Sequence, residues 1–540
     1  MSTLLYLVLE APLTLREKLL EWDPLLVAAG FFLIGAAICY LYILNITERS
    51  LFQRARDCVF YYGVKLPYVH EYIQKEFEGV VKDLMTSIHG DDKRESYMVK
   101  LPEKGLAIAD IVKMAEDYNV NDRVPKYLDG RVSGAVFNDE KDTEEMRMYT
   151  SIFEKYAYTN PLWPKLFPGV RKMETEVVRM ACGMMHGDEN SCGTMSTGGT
   201  ISILLACLAH RNRALSRGVN FPEMILPASC HAAFFKAGEV FRVKIRKIPV
   251  HPVTFKVDLR KMRAAINSRT CMLVGSAPNF PFGTMDDIPA IAAMGEENDI
   301  PVHVDACLGG FLLPFLKQHY DFDFRIPGVS SISADSHKYG LTPKGSSVVL
   351  YRNKDYRKHQ YFGDVDWQGG IYASATMEGS RCGLNIALAW SSLVYHGRQY
   401  YEREAELLVE TTKKIRDGIK SIPQFRVQGD SDICIVSWTS DKIDIFRYHD
   451  LIGKKGFQLS ALQFPTGVHI MVTQLHTKPG FVDVFIDATR EVIEHILATP
   501  DEPAEGSAAM YGMTQKVPDR KLVKEFACVY LDATYALPDR

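Results

Sequence analysis

The alternation of apolar and polar positions changes character along the 540-residue chain. From Pro24 to Thr47 no charged residue interrupts PLLVAAGFFLIGAAICYLYILNIT, and Asp23 and Glu48 bracket the run. About 20 apolar residues are enough to cross a bilayer core. The run has no polar face, as an amphipathic core helix would. It also starts too far in, without a basic lead, for a cleaved signal peptide. The pattern predicts a transmembrane helix over 24–47, acting as a signal-anchor. Arg49, Arg54, Arg56 and Lys65 follow it, against Arg16 and Lys18 before it. The positive-inside tendency then puts the C-terminal side in the cytosol and residues 1–23 in the lumen.

Residues 48–135 show helical spacing, as in 72–85, where Ile73, Phe77, Val80, Val81 and Leu84 share a face. From 136 to 395 the pattern shifts. Short runs rich in branched apolar residues predict strands at 224–227, 244–250, 270–276, 302–305, 331–334 and 347–351. Helical segments such as 259–266 and 288–297 lie between them. This alternation predicts an α/β layer around a mostly parallel sheet, which binds ligands outside the carboxyl ends of its strands. From 396 to 540 a charged helix at 398–422 precedes strand-like 433–438, a helix near 443–455 and strand-like 469–473. That reads as a smaller α+β domain.

Composition adds little. The chain is 47% hydrophobic and 24% charged, an ordinary globular mix. Its formal net charge of -3 gives no footprint for nucleic acid. The 11 cysteines have no metal-ligand spacing, and several sit in apolar runs, as buried free thiols do. No metal site is expected.

Two strand ends carry candidate chemistry. His303-Val304-Asp305-Ala306 closes one, and Ser333-Ala334-Asp335-Ser336-His337-Lys338-Tyr339-Gly340 follows the next. A lysine after a histidine in a small-residue turn, downstream of such an aspartate, suits pyridoxal phosphate (PLP). The lysine amine takes the aldehyde. The aspartate keeps the ring nitrogen protonated, so that the ring can act as an electron sink. Gly193-Thr194-Met195-Ser196-Thr197-Gly198-Gly199-Thr200 runs into the apolar helix 201–208. Free N–H groups at a helix start cradle phosphate. Alone, an ordinary glycine cap explains that turn as well; beside Asp305 and Lys338 the cradle is the better reading. His231 follows a strand, where it could be structural or could stack on a pyridine ring.

These motifs, together with Thr159-Asn160-Pro161-Leu162, His231-Ala232-Ala233-Phe234, Asp366-Trp367-Gln368-Gly369-Gly370-Ile371-Tyr372, Gly379-Ser380-Arg381 and Ala509-Met510-Tyr511-Gly512, resemble the sphingosine-1-phosphate lyase family over essentially the whole chain. The resemblance implies a PLP-dependent transferase of fold type I and a homodimer with active sites at the subunit interface. It also implies an anchor in the endoplasmic reticulum with the catalytic domain cytosolic. On this resemblance Lys338 would be the Schiff-base lysine, Asp305 would hold the pyridinium and His231 would stack on the ring. Thr197, Gly198, Gly199 and Thr200 would bind the cofactor phosphate, with His337 assisting and Gly379 and Ser380 arriving from the partner subunit. Lys344 would contact the substrate phosphate, with Asn160, Tyr372 and Tyr511 on the substrate side. The implied reaction is retro-aldol cleavage of a phosphorylated sphingoid base into a long-chain aldehyde and phosphoethanolamine.

Three positions depart from the family pattern: Trp163 stands for a histidine, Phe137 for a tyrosine and Ile201 for a glutamate. Trp163 cannot take up a proton, and Phe137 lacks a hydroxyl. An active lyase, a PLP-dependent amino-acid decarboxylase on the same scaffold, and a PLP-binding paralogue with weak or no turnover all remain open at this point.

Overall fold

A computed structural model describes residues 97–122, 127–139, 143–430, 433–502 and 520–538, with isolated positions between 30 and 92. Apart from Gly30, Leu33 and Gly35, the 24–47 run lies outside the described residues, as does Tyr511. Among the described residues no helix is long and apolar enough to cross a membrane. Contacts divide the chain into two units, 1–99 with 519–540, and 100–518.

The larger unit is built on a seven-stranded sheet of order β1-β7-β6-β5-β4-β2-β3. Its strands are β1 (Cys192–Ser196), β2 (Glu223–Pro227), β3 (Lys244–Ile248), β4 (Thr270–Ser276), β5 (Val302–Asp305), β6 (Val329–Ala334) and β7 (Ser347–Tyr351). Strand β7 runs antiparallel to both its neighbours, and all other pairings are parallel. Strands β4, β5 and β6 are buried along their whole length. Parallel strands covered on both faces need such continuous runs.

Helices α1 (Ile108–Asp122) and α2 (Thr143–Tyr156) come before the sheet in the chain, and α3 (Pro168–Met184), α4 (Gly199–Ser216), α5 (Ala233–Phe241), α6 (Leu259–Ala265) and α7 (Ile288–Glu297) pack on its strands. Local chemistry sets their starts. Asp258 accepts the N–H groups of Arg260 and Lys261 ahead of α6, and Asp287 accepts that of Ala290 in α7. Such caps satisfy backbone donors that the helix itself leaves open.

A long helix, α8 (Gly383–Lys420), leads out of the sheet layer. It begins earlier than the predicted 398–422, because two helical stretches run on from one another across a kink at Gly397, whose φ of 65° and ψ of 170° are not helical. A hairpin of β8 (Phe362–Asp364) and β9 (Tyr372–Ser374) precedes it. Beyond it, β10 (Arg426–Gln428), β11 (Ile435–Thr439), β12 (Ser460–Leu462) and β13 (Gly467–Met471) form an antiparallel sheet of order β10-β11-β13-β12. Helices α9 (Ile445–Lys454) and α10 (Phe481–Ala498) pack on each other beside that sheet. In the smaller unit α11 (Arg520–Tyr535) lies beside His89, whose Nε2 is 3.1 Å from the Ala533 carbonyl oxygen.

Candidate active site

The carboxyl ends of β5 and β6 lie side by side, with Asp305 opposite Ser333. Asp305 is 7% exposed. Its Oδ1 accepts the Cys307 N–H at 3.1 Å and the Ser333 hydroxyl at 3.3 Å, leaving Oδ2 without a hydrogen bond among the described residues. Past β6 the chain turns through Asp335-Ser336-His337-Lys338, and the Lys338 Nζ comes to 2.9 Å from Asp335 Oδ2. Burial pulls the lysine pKa down, but the facing Asp335 carboxylate outweighs it and holds the pKa above the usual lysine value. Lys338 is therefore an ion-paired ammonium until that carboxylate is neutralised or its proton is taken. The other oxygen, Asp335 Oδ1, is buried without a hydrogen bond. Sequence reasoning gives Asp335 no role; its place three residues before the lysine is the available signal.

Helix α4 supplies the opposite wall. Gly198 caps it and Gly199 opens it. A Cβ at Gly199 would fall 2.5 Å from the Asp335 carboxylate, so no larger residue fits there. Thr197, Gly198, Gly199, Thr200, His231, Cys307, Asp335, His337 and Lys338 line a cavity of about 380 Å³, together with Ile201 and Ile203. Burial raises the Cys307 thiol pKa well above its ordinary value, so it stays a neutral wall. His231 Nδ1 accepts the Ala233 N–H at 3.2 Å, which fixes its ring at the cavity edge. Thr197 donates to Glu378 Oε1 at 2.8 Å.

The donor set fits PLP. Lys338 would carry the aldehyde, and the open Oδ2 of Asp305 would take the ring N–H. His231 would lie against the ring. The N–H groups at the start of α4 would take the phosphate, helped by the positive end of the helix dipole. Among the described residues no group of three His, Cys, Asp or Glu side chains could hold a metal ion.

A second cavity, of about 610 Å³, opens next to the first, and His337 lines both. Val136, Phe137, Met146, Phe153 and Leu388 make it apolar, while Lys344 and Glu145 are charged groups in its wall. The Lys344 ammonium sits 4.9 Å from the centre of the Phe137 ring. Phe137 is 4% exposed and meets Tyr339 edge-on at 5.1 Å. Burial lowers the pKa of His337, and Ser346 donates its N–H to His337 Nδ1 at 3.2 Å.

Four of the remaining site residues form a separate group. Asn160 donates to the Ser380 hydroxyl at 3.0 Å, and a Cβ on Gly379 would collide with the Tyr372 hydroxyl. The Arg381 guanidinium grips both oxygens of Glu174, at 2.7 and 3.0 Å, and holds this loop against β1. None of Asn160, Tyr372, Gly379 and Ser380 lines either cavity. Trp163 lies in the turn after Asn160 and is 60% exposed. Ile201 lines the cofactor cavity.

The pyridoxal-dependent decarboxylase conserved domain matches residues 156–440. The chain is 41% identical over 524 residues to sphingosine-1-phosphate lyase of Drosophila melanogaster, covering 96% of this chain and 95% of the relative. The chain belongs to the sphingosine-1-phosphate lyase family. A second member, sphingosine-1-phosphate lyase 1 of Rattus norvegicus, is 38% identical over 96% of this chain and 91% of its own length. The solved structure of the Burkholderia pseudomallei sphingosine-1-phosphate lyase superposes with a TM-score of 0.71. It is 37% identical, covering 78% of this chain and 96% of that one. The lyase family thus extends over the sheet layer, both cavities and the small antiparallel sheet. Its cofactor is the one that the donor set at Lys338 and Asp305 fits.

Proposed function

We propose that this protein is a PLP-dependent lyase that cleaves phosphorylated sphingoid bases between Cα and Cβ, giving a long-chain aldehyde and phosphoethanolamine. The observation that carries the reading is His337, which is common to the Lys338 cavity and to the apolar cavity holding Lys344. A substrate with an amine, a phosphate and a long apolar chain needs those surroundings within reach of one another. The bound cofactor would supply the electron sink at the substrate's alpha carbon. Asp305 would hold its ring nitrogen, Asp335 would pair with Lys338 until the amine is needed, and Lys344 would offer a cation to the substrate phosphate. The apolar wall would take part of the chain and keep water away.

The protein is further read as a homodimer anchored in the endoplasmic reticulum membrane, with its catalytic part in the cytosol. The uncharged run 24–47 supports the anchor. The β8–β9 hairpin supports the dimer, since it exposes Phe362, Val365, Trp367 and Ile371 next to the Asn160–Ser380 group. Such a cluster of exposed apolar side chains marks a contact surface.

A weak or inactive paralogue is the second reading, and Phe137 favours it, because its ring occupies the wall next to Lys344 without a hydroxyl. One assay separates the two. The full chain in detergent, given PLP and a phosphorylated long-chain base, should release fatty aldehyde and phosphoethanolamine in equal amounts, and Lys338→Ala should abolish both. No aldehyde from a PLP-loaded protein would sink the lyase reading. Carbon dioxide from an amino acid would replace it with a decarboxylase.

A further inference from the structure

Asp305 is the last member of a line of buried polar groups that runs away from the cavity. Residues two apart on a strand share a face, so His303 and Asp305 on β5 stand beside Ser331 and Ser333 on β6. Helix α4, whose first turn is the glycine cradle, packs over β6 and brings His210 onto the same line. The contacts are continuous. His210 Nε2 lies 2.7 Å from Ser331 Oγ, and Ser331 Oγ lies 2.8 Å from His303 Nδ1. His303 Nε2 lies 3.2 Å from Ser333 Oγ, which is 3.3 Å from Asp305 Oδ1. His210, His303, Ser331 and Ser333 are all buried.

Proton positions along this line follow from one end. An ionised carboxylate only accepts, so Ser333 donates to Asp305. Its single proton is then used, and His303 must donate Nε2–H to Ser333. Burial pushes the His303 pKa down to about 4, so the ring is neutral and its Nδ1 accepts from the Ser331 hydroxyl. Ser331 in turn accepts Nε2–H from His210. The line ends there, since His210 Nδ1 is buried with no hydrogen bond. Running every bond the other way requires a protonated Asp305 and puts a proton on His210 Nδ1, where it finds no acceptor. An orphaned buried N–H is rarer and costlier than an unused lone pair. The closed end therefore fixes the direction, and aligned hydrogen bonds of this kind polarise one another.

We propose that His210, Ser331, His303 and Ser333 form a one-way hydrogen-bond chain that keeps Asp305 ionised and aimed, and thereby sets the protonation of the cofactor's ring nitrogen. The four are positioning residues, and the inference rests on the cofactor reading of the cavity rather than on the substrate.

The test uses the full chain loaded with PLP labelled with nitrogen-15 in the ring. The wild-type ring nitrogen should resonate as a protonated pyridinium. Ser333→Ala should move that resonance toward the unprotonated value and weaken PLP binding about 10-fold or more, the range for losing a hydrogen bond to a charge. Ser331→Ala should move it in the same direction, although Ser331 touches neither Asp305 nor the cavity. Ser333→Thr, which keeps the hydroxyl, should restore it. Wild-type resonance and affinity in both alanine variants, whatever their melting temperatures, would overturn the proposal. A second measurement needs no variant: histidine nitrogen-15 spectra of the wild-type protein should show Nε2–H tautomers for His210 and His303. An Nδ1–H tautomer at either would overturn it too. Since that spectrum can be taken without cofactor, a failure of the cofactor reading and a failure of the chain are distinguishable.

Discussion

At the scale of single residues, the proposed contact between Lys344 and the substrate phosphate is the one most open to measurement. The Lys344 ammonium faces the Phe137 ring inside the apolar cavity. Burial lowers its pKa below the usual 10.5, and the positive charge of Lys338 lowers it further. A cation disfavoured in this way loses its proton at lower pH than a surface lysine. The preference for a phosphorylated over an unphosphorylated long-chain base should therefore fall as pH rises, with its midpoint below 10.5. Lys344→Met should flatten that profile and raise KM for the phosphorylated base about 10- to 100-fold, from the loss of one charge-assisted hydrogen bond. Equal KM values for both bases in the wild type would remove Lys344 from phosphate recognition. In the sequence Lys344 was marked only by the family resemblance, through Pro343-Lys344-Gly345; its place in the apolar cavity comes from the fold. The Phe137 ring beneath it was legible only as a missing hydroxyl; that it forms the wall under the ammonium is a fact of folding. The hydrogen-bond chain behind Asp305 was not legible. Two serines spaced by two and a histidine on a distant helix carry no signal until β5, β6 and α4 are packed together.

At the scale of elements, the strands of the sheet were the most readable part of the chain. Strands β2, β4, β5 and β7 fall where branched apolar runs predicted them, because each is buried along its whole length, whether its neighbours are parallel or, as for β7, antiparallel. Strand β1 was hidden inside what reads as a glycine-rich turn. Its residues, Cys192 to Ser196, have no apolar run, and its burial comes from pairing with β7 and from α3 packed against it. The start of α8 was misplaced for a different reason. Gly397 interrupts the helix with a backbone conformation that is essentially reserved for glycine, next to His396, whose Nε2 is 3.1 Å from the buried Glu145 carboxylate. A Cβ there would meet no other atom, so the cost of replacing it is one of backbone alone. Gly397→Ala should lower stability by about 1–3 kcal/mol, seen as a fall in melting temperature, while PLP affinity stays at the wild-type value. A melting temperature equal to the wild type would show that the kink relaxes into a continuous helix without loss.

At the scale of the whole molecule, the same burial that keeps His303 neutral recurs elsewhere and gives the fold a pH dependence. His303, His469 and His476 are fully buried, and burial lowers each pKa to about 4. His210 is shifted in the same direction. In the unfolded chain these rings titrate near 6.5. Between about pH 6.5 and 4 the unfolded chain binds protons that the native chain refuses, so stability is lost as pH falls through that window. Asp286 acts the other way. Burial raises its pKa to about 6, against the pull of the Ser276 and Val257 N–H groups that it accepts. The native chain thus keeps a proton there that the unfolded chain has released between about pH 4 and 6, which favours the fold on acidification. The histidines outnumber the aspartate, and each net proton is worth about 1.4 kcal/mol per pH unit. The cofactor-free protein should therefore melt at a lower temperature at pH 5 than at pH 7. His469 offers the cleanest check, because its Nδ1–H donates to the Pro281 carbonyl at 3.0 Å while Nε2 is buried without a hydrogen bond. Asparagine can keep the first contact and cannot take up the proton. His469→Asn should reduce the difference between the two melting temperatures, and an unchanged difference would show that this ring is already protonated, or reached by water, in the native fold.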